Sequence, residues 1–409
     1  MGGGNVTSGG YWTTDANGNV IAYTGEGTPT DNYIHYDAGN NTLTLYKVTI
    51  KDELPYGTDT PAGSFINGAA IGVLNQNGNA KLTIQLVGTN TVSASTDVHV
   101  YSSGGTATLN ITGSGSLNAS GSSNGIRVVS TSNAATLKIK TAKVTATSEF
   151  GIGVLVQAGS ANNQGHTATL TVNGGSLTAS GDLGIGFNAG SKNNTITTTL
   201  TVSNNALVDT RNGGIEVYGR GNVTPTVAAD VTNGGIVFDG DKGTVYGSVT
   251  LEENLTVGEG ERLDIPGEAS LDANGKLTVD GGTITGNVSG GVTYKVTGVS
   301  LDKDSLTLEA GKSGTLTAAI TPDNATNKNV EWESSNTAVA TVENGTVTAE
   351  GEGTATITVT TADGEFTADC TVTVSKNIVS VTGVSLDKET LSLEAGKSGT
   401  LTAAITPDN

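Results

Sequence analysis

ATLTVNGGSLTASGDLGIGF, residues 168–187, alternates small polar and aliphatic residues, carries one charge at Asp182 and contains no helix punctuation. Alternation with a period of two marks strands that bury one face. The stretch recurs along the chain: TIQLVGTNTVSAS around Ile84, TLNITGSGSLNAS around Leu109, TLKIKTAKVTAT around Leu137, TLTVSNNALVDT around Leu200 and a looser ADVTNGGIVFD from Ala229. With Leu170 as the anchor of the opening stretch, successive anchors lie 25, 28, 33, 30 and 29 residues apart. A second aliphatic follows each anchor at Val92, Leu117, Val144, Leu177, Leu207 and Ile236, and a third at Val98, Ile126, Ile152, Ile185, Ile215 and Val245.

Spacing inside a unit is tighter than spacing between units. Three short strands at fixed separations, closed by a turn of variable length, describe one turn of a coil whose three sides stack on the next. The pattern therefore predicts an all-β solenoid in which each strand pairs in parallel with its counterpart one turn away. One turn cannot bury its inner face alone, which is why the motif repeats. Glycines in NGGS, SGSG and FGIG fall at the corners, where positive φ or close backbone approach is needed. There are 59 glycines in 409 residues, without the strict period of collagen.

The formal net charge is −19, from 39 acidic and 20 basic side chains, which disfavours nucleic acid and anionic lipid as partners. The imbalance is uneven: residues 81–248 hold eight acids and nine bases, so the repeat region is close to neutral. The single cysteine, Cys370, excludes an internal disulfide and shares an alternating face with Val372 and Val374, as a buried thiol would. Low cysteine content fits an exported bacterial protein as well as a cytosolic one. No apolar run is long enough to span a membrane. The chain opens MGGGN without a signal peptide and stops within a repeat, which reads as an excised piece of a longer protein.

These patterns divide the chain into an aromatic-rich cap and first strands (1–80), the main coils (81–248), a continuation with shorter spacings (249–295), a sandwich-like segment (296–375), and a linker with a partial second copy (376–409). Residues 11–56 hold Trp12 and six of the ten tyrosines, as expected of hairpins covering the open end of a solenoid. VTGVSLDKDSLTLEAGKSGTLTAAITPDN at 296–324 returns at 381–409 with three differences.

The order ITP, VEWESSN, VATV, GTVTA, GTATITV and CTVTV across 296–375 resembles the group 2 bacterial immunoglobulin-like domains that form stalks in intimin- and invasin-type surface proteins. The resemblance implies a β-sandwich, and independent of it, about seven short alternating strands suit that fold, with Trp332 placed to fill its centre. The repeat region is similar to right-handed parallel β-helices of exported bacterial proteins, including carbohydrate-binding and pectate-lyase-like ones. The expected whole is a capped right-handed parallel β-helix followed by an immunoglobulin-like β-sandwich.

Motif hits for chemistry are weak. GSSNG at 121–125 fits G-x-S-x-G without the helix a nucleophile elbow requires, and AGKSGT at 310–315 lacks the first glycine of a phosphate loop. DANGN (15–19), DANGK (272–276) and DGDKG (239–243) read as tight turns, with weak calcium binding the alternative, and no other cofactor is implied. His35, His99 and His166 stand apart with no metal-ligand spacing. The ligand-contact candidates are the basic set Arg127, Lys138, Lys140 and Lys143, together with Trp12 and Tyr36, and beside them Tyr11 and Tyr33, for sugar stacking; solvated strand faces and cap packing are their other readings.

The sequence thus predicts a monomeric, non-enzymatic adhesin or carbohydrate-binding protein, extracellular or on a bacterial surface, presenting its solenoid on a stalk to a polysaccharide or cell-surface glycan. A polysaccharide lyase and a purely structural spacer are the alternatives.

Overall fold

The computed structural model describes residues 9–51, 68–159, 166–188, 197–218, 226–229 and 234–407, the side chains of 218 and 226–229 excepted. The described residues hold strands and no α-helix, so no helix is long and apolar enough to cross a membrane. The chain divides into two compact units, Met1–Thr293 and Tyr294–Asn409.

In the first unit, three successive strands such as Ala107–Gly113, Ser116–Gly121 and Asn124–Ser130 each join a different sheet. The following three, Ala135–Lys140, Lys143–Ser148 and Ile152–Gln157, pair with them in parallel, residue for residue. Leu109, Leu137, Leu170 and Leu200 thereby stand opposite one another in the first sheet, all fully buried. Each is worth about 1.5–3 kcal/mol relative to exposure. Leu170, Leu177 and Ile185, from three different sheets, share one core cluster and are 0 % exposed. The repeat begins earlier than its sequence anchors suggest: Thr42–Tyr46, Thr49–Ile50 and Ala69–Asn75 already pair in parallel with Ala80–Val87, Thr89–Val92 and Thr96–Ser102.

Several anchors move when the register is seen. Leu82, not Ile84, stands opposite Leu109, and Val227, not Ala229, opposite Leu200. Val154 replaces Ile152 beneath Ile126, and the partner of Leu117 is Asn90, Val92 lying opposite Ala119. Alternation fixes which residues face inward but leaves a slip of two positions open. Leu207 and Ile236 differ in a second way. Val208 and Val237 continue the column of Leu177, while Ile236, with Leu207 packed against it, belongs to a second core. The strand Gly235–Asp239 is a wall between two cores, with Val237 in one and Ile236 and Phe238 in the other, so its sequence does not alternate. Val245, expected in a third parallel strand, pairs antiparallel with Ile236 in a hairpin whose tip is Gly240–Asp241.

Beyond that hairpin the repeat tightens. Leu255 lies opposite Leu277, Val249 opposite Leu271 and Leu263 opposite Ile284, again in parallel. Arg211 ties the wide and tight portions together: its Nη2 meets Asp209 Oδ2 at 2.6 Å, its Nη1 meets Glu261 Oε2 at 2.9 Å and the Thr256 carbonyl at 2.8 Å, and its guanidinium lies 4.8 Å from the Phe238 ring centre. The hydrogen bond to Asp209 is the main reason its pKa lies above the ordinary arginine value.

The corner between the first and second sheets is left-handed, with Gly174 and Gly175 at φ +67° and +70°. A Cβ on Gly175 would sit 2.3 Å from the Ala142 carbonyl oxygen, so the NGGS glycines are required by backbone approach as well as by φ.

In the second unit, a four-stranded sheet (Ser305–Glu309, Thr367–Ser375, Gly353–Thr361, Val330–Ser334) and a three-stranded sheet (Ser313–Thr315, Thr346–Ala349, Ala340–Glu343) contribute to one core. Ile357, Cys370 and Val372 are 0 % exposed, and burial raises the Cys370 thiol pKa. Trp332 is half-buried at the side of this core rather than at its centre, which small residues such as Ala355 and Cys370 fill.

Candidate functional site

The outward face of the first sheet is where exposed aromatic and polar side chains come into register. Its N-terminal end is an antiparallel meander of Val20–Ala22, Gly10–Thr14, Tyr33–Asp37 and Thr42–Tyr46, and the last of these pairs in parallel with Ala80–Val87. Alternation sends Ile34 into the core, with Trp12 and Tyr36 packed against it, and Tyr11, Tyr33, His35 and Tyr46 to the other face. There Tyr11 and His35 stack at 4.4 Å, Tyr33 and Tyr46 stack at 5.0 Å, and Tyr11 meets Tyr33 edge-on at 5.7 Å. The four rings are only half-buried.

The row continues as polar columns. His35 stands opposite Thr44, then Gln85, Thr112, Lys140, Asn173 and Ser203. A parallel column holds Thr83, Asn110, Lys138, Thr171 and Thr201. Rungs of a parallel sheet repeat at about 4.8 Å, so this face presents rings at one end and hydroxyl, amide and ammonium groups at regular intervals beyond.

The sequence-derived candidates do not converge on one site. Lys138 and Lys140 lie exposed on this strip, with Asn110, Thr171, Thr112 and Asn173 beside them in register. Lys143 is on the second sheet, in an exposed ion pair with Glu253 at 2.6 Å that is worth at most about 1 kcal/mol. Arg127 is on the third sheet. The basic set is therefore spread over three sheets, because successive strands of one repeat belong to different sides. Trp12 and Tyr36 pack inward, and Tyr46, which the sequence reading passed over, is on the outer row; the parity of Ile34 was the available signal. The Asp15 turn uses its carboxylate internally, Oδ1 accepting from the Asn17 and Asn19 amides and Oδ2 from Asn19 Nδ2.

The second unit has its own identity. Residues 295–372 match the bacterial Ig-like domain (group 2). Among relatives of the chain, an Ig-like virion protein of Serratia phage KSP90 is 36% identical over 113 residues, 27% of this chain and 44% of that protein. An alpha-L-arabinofuranosidase of Bifidobacterium longum subsp. longum is 49% identical over 67 residues, 16% of this chain and 6% of that enzyme. Among solved structures, domains 5-6 of the S-layer protein SbsC align at 22% identity and a TM-score of 0.18, over 23% of this chain and 51% of theirs. The chain spans less than half the length of the curated relatives it matches.

Outside the Ig-like module, two further features of the first unit carry polar chemistry. A groove of about 560 Å³ at the corner after the second sheet is lined by Ser93, Ser120, Ser122 and Thr147, with Lys51 and Glu149 also at its wall. On the third sheet, His99 stands in register with Arg127 on the adjacent strand. His99 is 1 % exposed, and burial, followed by the Arg127 charge, lowers its pKa to about 3, so it is neutral at physiological pH. Burial also lowers the Arg127 pKa from its ordinary value. The Nε2 of His99 and the Nε of Arg127 are both buried without a hydrogen-bond partner.

Proposed function

We propose that the first unit is a capped right-handed parallel β-helix that binds an extended polysaccharide, and that the protein is a non-enzymatic adhesin on a surface or secreted, with its Ig-like module serving as a stalk. The observation that carries this reading is the outer row of Tyr11, His35, Tyr33 and Tyr46, continuous in register with the polar columns of the first sheet. Planar rings cover the apolar faces of sugars, and evenly spaced hydroxyl and amide groups hydrogen-bond along a chain. The right-handed sense follows from strand twist, which makes nearly all parallel crossovers right-handed. The Ig-like module and the virion relative support an extracellular or surface setting. A lyase would need carboxylates beside Lys138 and Lys140, and their in-register neighbours are amides and hydroxyls.

Affinity electrophoresis of the full chain through gels containing soluble xylan, mannan, β-glucan or galactan tests the reading. Retardation by at least one polymer is expected, with affinity falling roughly 3- to 10-fold in Tyr33→Ala at an unchanged far-UV spectrum. Free migration through all four gels, or retardation indifferent to Tyr33→Ala, overturns it.

A further inference from the structure

The groove at the corner after the second sheet, about 560 Å³ in volume, is of a size usual for small-ligand sites. Ala94 and Gly121 keep it open, and a Cβ on Gly121 would sit 2.1 Å from the Asn124 carbonyl oxygen, so a side chain cannot fill it from there. Four rungs of the stack meet in it. Ile50, Val92, Ala119 and Ala146 stand opposite one another in register, and Lys51, Ser93, Ser120 and Thr147 come one residue later on each strand. Among the described residues, no hydrogen bond engages the side chains of Ser120, Ser122 and Thr147, and no ion pair engages Lys51 or Glu149. Ser93 donates to the Ser120 carbonyl at 3.4 Å and keeps its lone pairs to accept. The backbone amides of Ser93, Ser122 and Glu149 are already committed to the carbonyls of Ile50, Ala94 and Gly121. Phe150, the residue after Glu149, is 73 % exposed.

We propose that this groove binds a short neutral oligosaccharide lying along the stack. Its hydroxyls recur rung by rung at about 4.8 Å, a repeat close to that of successive pyranoses in an extended glycan, so the groove holds about three sugar residues. Each hydroxyl both donates and accepts, as sugar hydroxyls do. A peptide finds no free strand edge to extend, because the amides at this corner are spent. Lys51 and Glu149 stand at the first and last rungs with opposite charge, which favours neither a polyanion nor a polycation, and both bond readily to sugar hydroxyls. Beside Glu149, the exposed ring of Phe150 offers a surface to an apolar sugar face. The groove lies at a different corner from the outer face of the first sheet, and the assignment stands whether or not that face binds a polymer.

Isothermal titration of the full chain with mannotriose, cellotriose, xylotriose and maltotriose tests the assignment. Binding of at least one trisaccharide is expected, weakened roughly 3- to 10-fold in Ser120→Ala and abolished in Ser120→Phe, whose ring occupies the groove. Ser120 is exposed, so both variants are expected to fold; thermal melts establish that they do, and Ser122→Phe serves if Ser120→Phe does not. Absence of binding by all four sugars overturns the proposal, as does binding that survives the ring substitution, which places the sugar elsewhere on the chain. Tighter binding of triserine or inorganic sulfate than of any trisaccharide, lost in Ser120→Phe, also overturns it, since that result marks a peptide site or a general anion site.

Discussion

Residues 296–324 and 381–409 differ at three positions, yet they fold to different extents. In the first copy Ser305–Glu309 pairs in parallel with Thr367–Ser375, and Leu301, Leu306 and Leu308 pack against the module core. In the second, the hairpin of Gly383–Leu386 with Ala403–Thr406 persists, but residues 390–394 form no strand, and Leu386, Leu391 and Leu393 are 54 %, 37 % and 52 % exposed. The hairpin is local: the Thr317 and Thr402 amides donate to Asp302 and Asp387 in the same way. The parallel strand is not, and it forms only where a distant strand and a core receive it. Local pattern specifies a strand's faces; cover decides whether it exists.

The sharpest test of that lesson lies where every strand has cover. Leu177→Asp, in a fully buried column of the repeat, is expected to destabilise the first unit by about 4 kcal/mol or more, through lost burial and an unpaired charge, while exposed Thr178→Asp shifts it by less than about 0.5 kcal/mol. Equal melting temperatures for the two would break the register. Next, Ile357→Asp removes the core of the Ig-like module, with a cost of about 4 kcal/mol. Amide exchange at 305–309 should then accelerate to the rate of 390–394, and continued protection would show that the strand stands without its cover. The smallest effects distinguish the copies directly. Leu301→Ala should cost about 1 kcal/mol in thermal melts and Leu386→Ala less than about 0.5 kcal/mol, and a matched loss at both sites would mean the second copy is covered too.

Much of this architecture is written in the alternation of the strands of the first two sheets, where Leu109 and Leu117 mark inward positions correctly because Ala107–Gly113 and Ser116–Gly121 each have one buried and one more exposed face; Ile126 also faces inward, although its strand Asn124–Ser130 is buried along nearly all its length. Reading failed where that condition lapses. Gly235–Asp239 is buried on both faces, so Ile236 reads as a member of the wrong core, and the reversal at Gly240 makes Val245 look like a third parallel strand; Leu207 lies on the alternating strand Ala206–Thr210, where its neighbour Val208 holds the inward position. The candidate site was legible only in part. Lys138 and Lys140 share the expected face, but linear proximity misled for Lys143 and Arg127, since a few residues carry the chain around a corner to another sheet. Trp12 and Tyr36 suggested stacking by residue type, whereas parity with Ile34 places them inside. The pairing of His99 with Arg127 depends on a stacking register that no short window contains.

Asn90 occupies the position that Leu117, Val144 and Leu177 hold in later turns, and it is 0 % exposed. Its Oδ1 accepts the Val48 amide at 3.1 Å, and its Nδ2 donates to the carbonyls of Val87, Gly88 and Ser116. A stack of near-identical storeys could in principle assemble one floor out of step, each Leu finding another Leu. A lone amide that is satisfied at only one level acts like the index mark on a ruler: any displaced assembly strands it among methyl groups, so counting of the floors starts from the correct end.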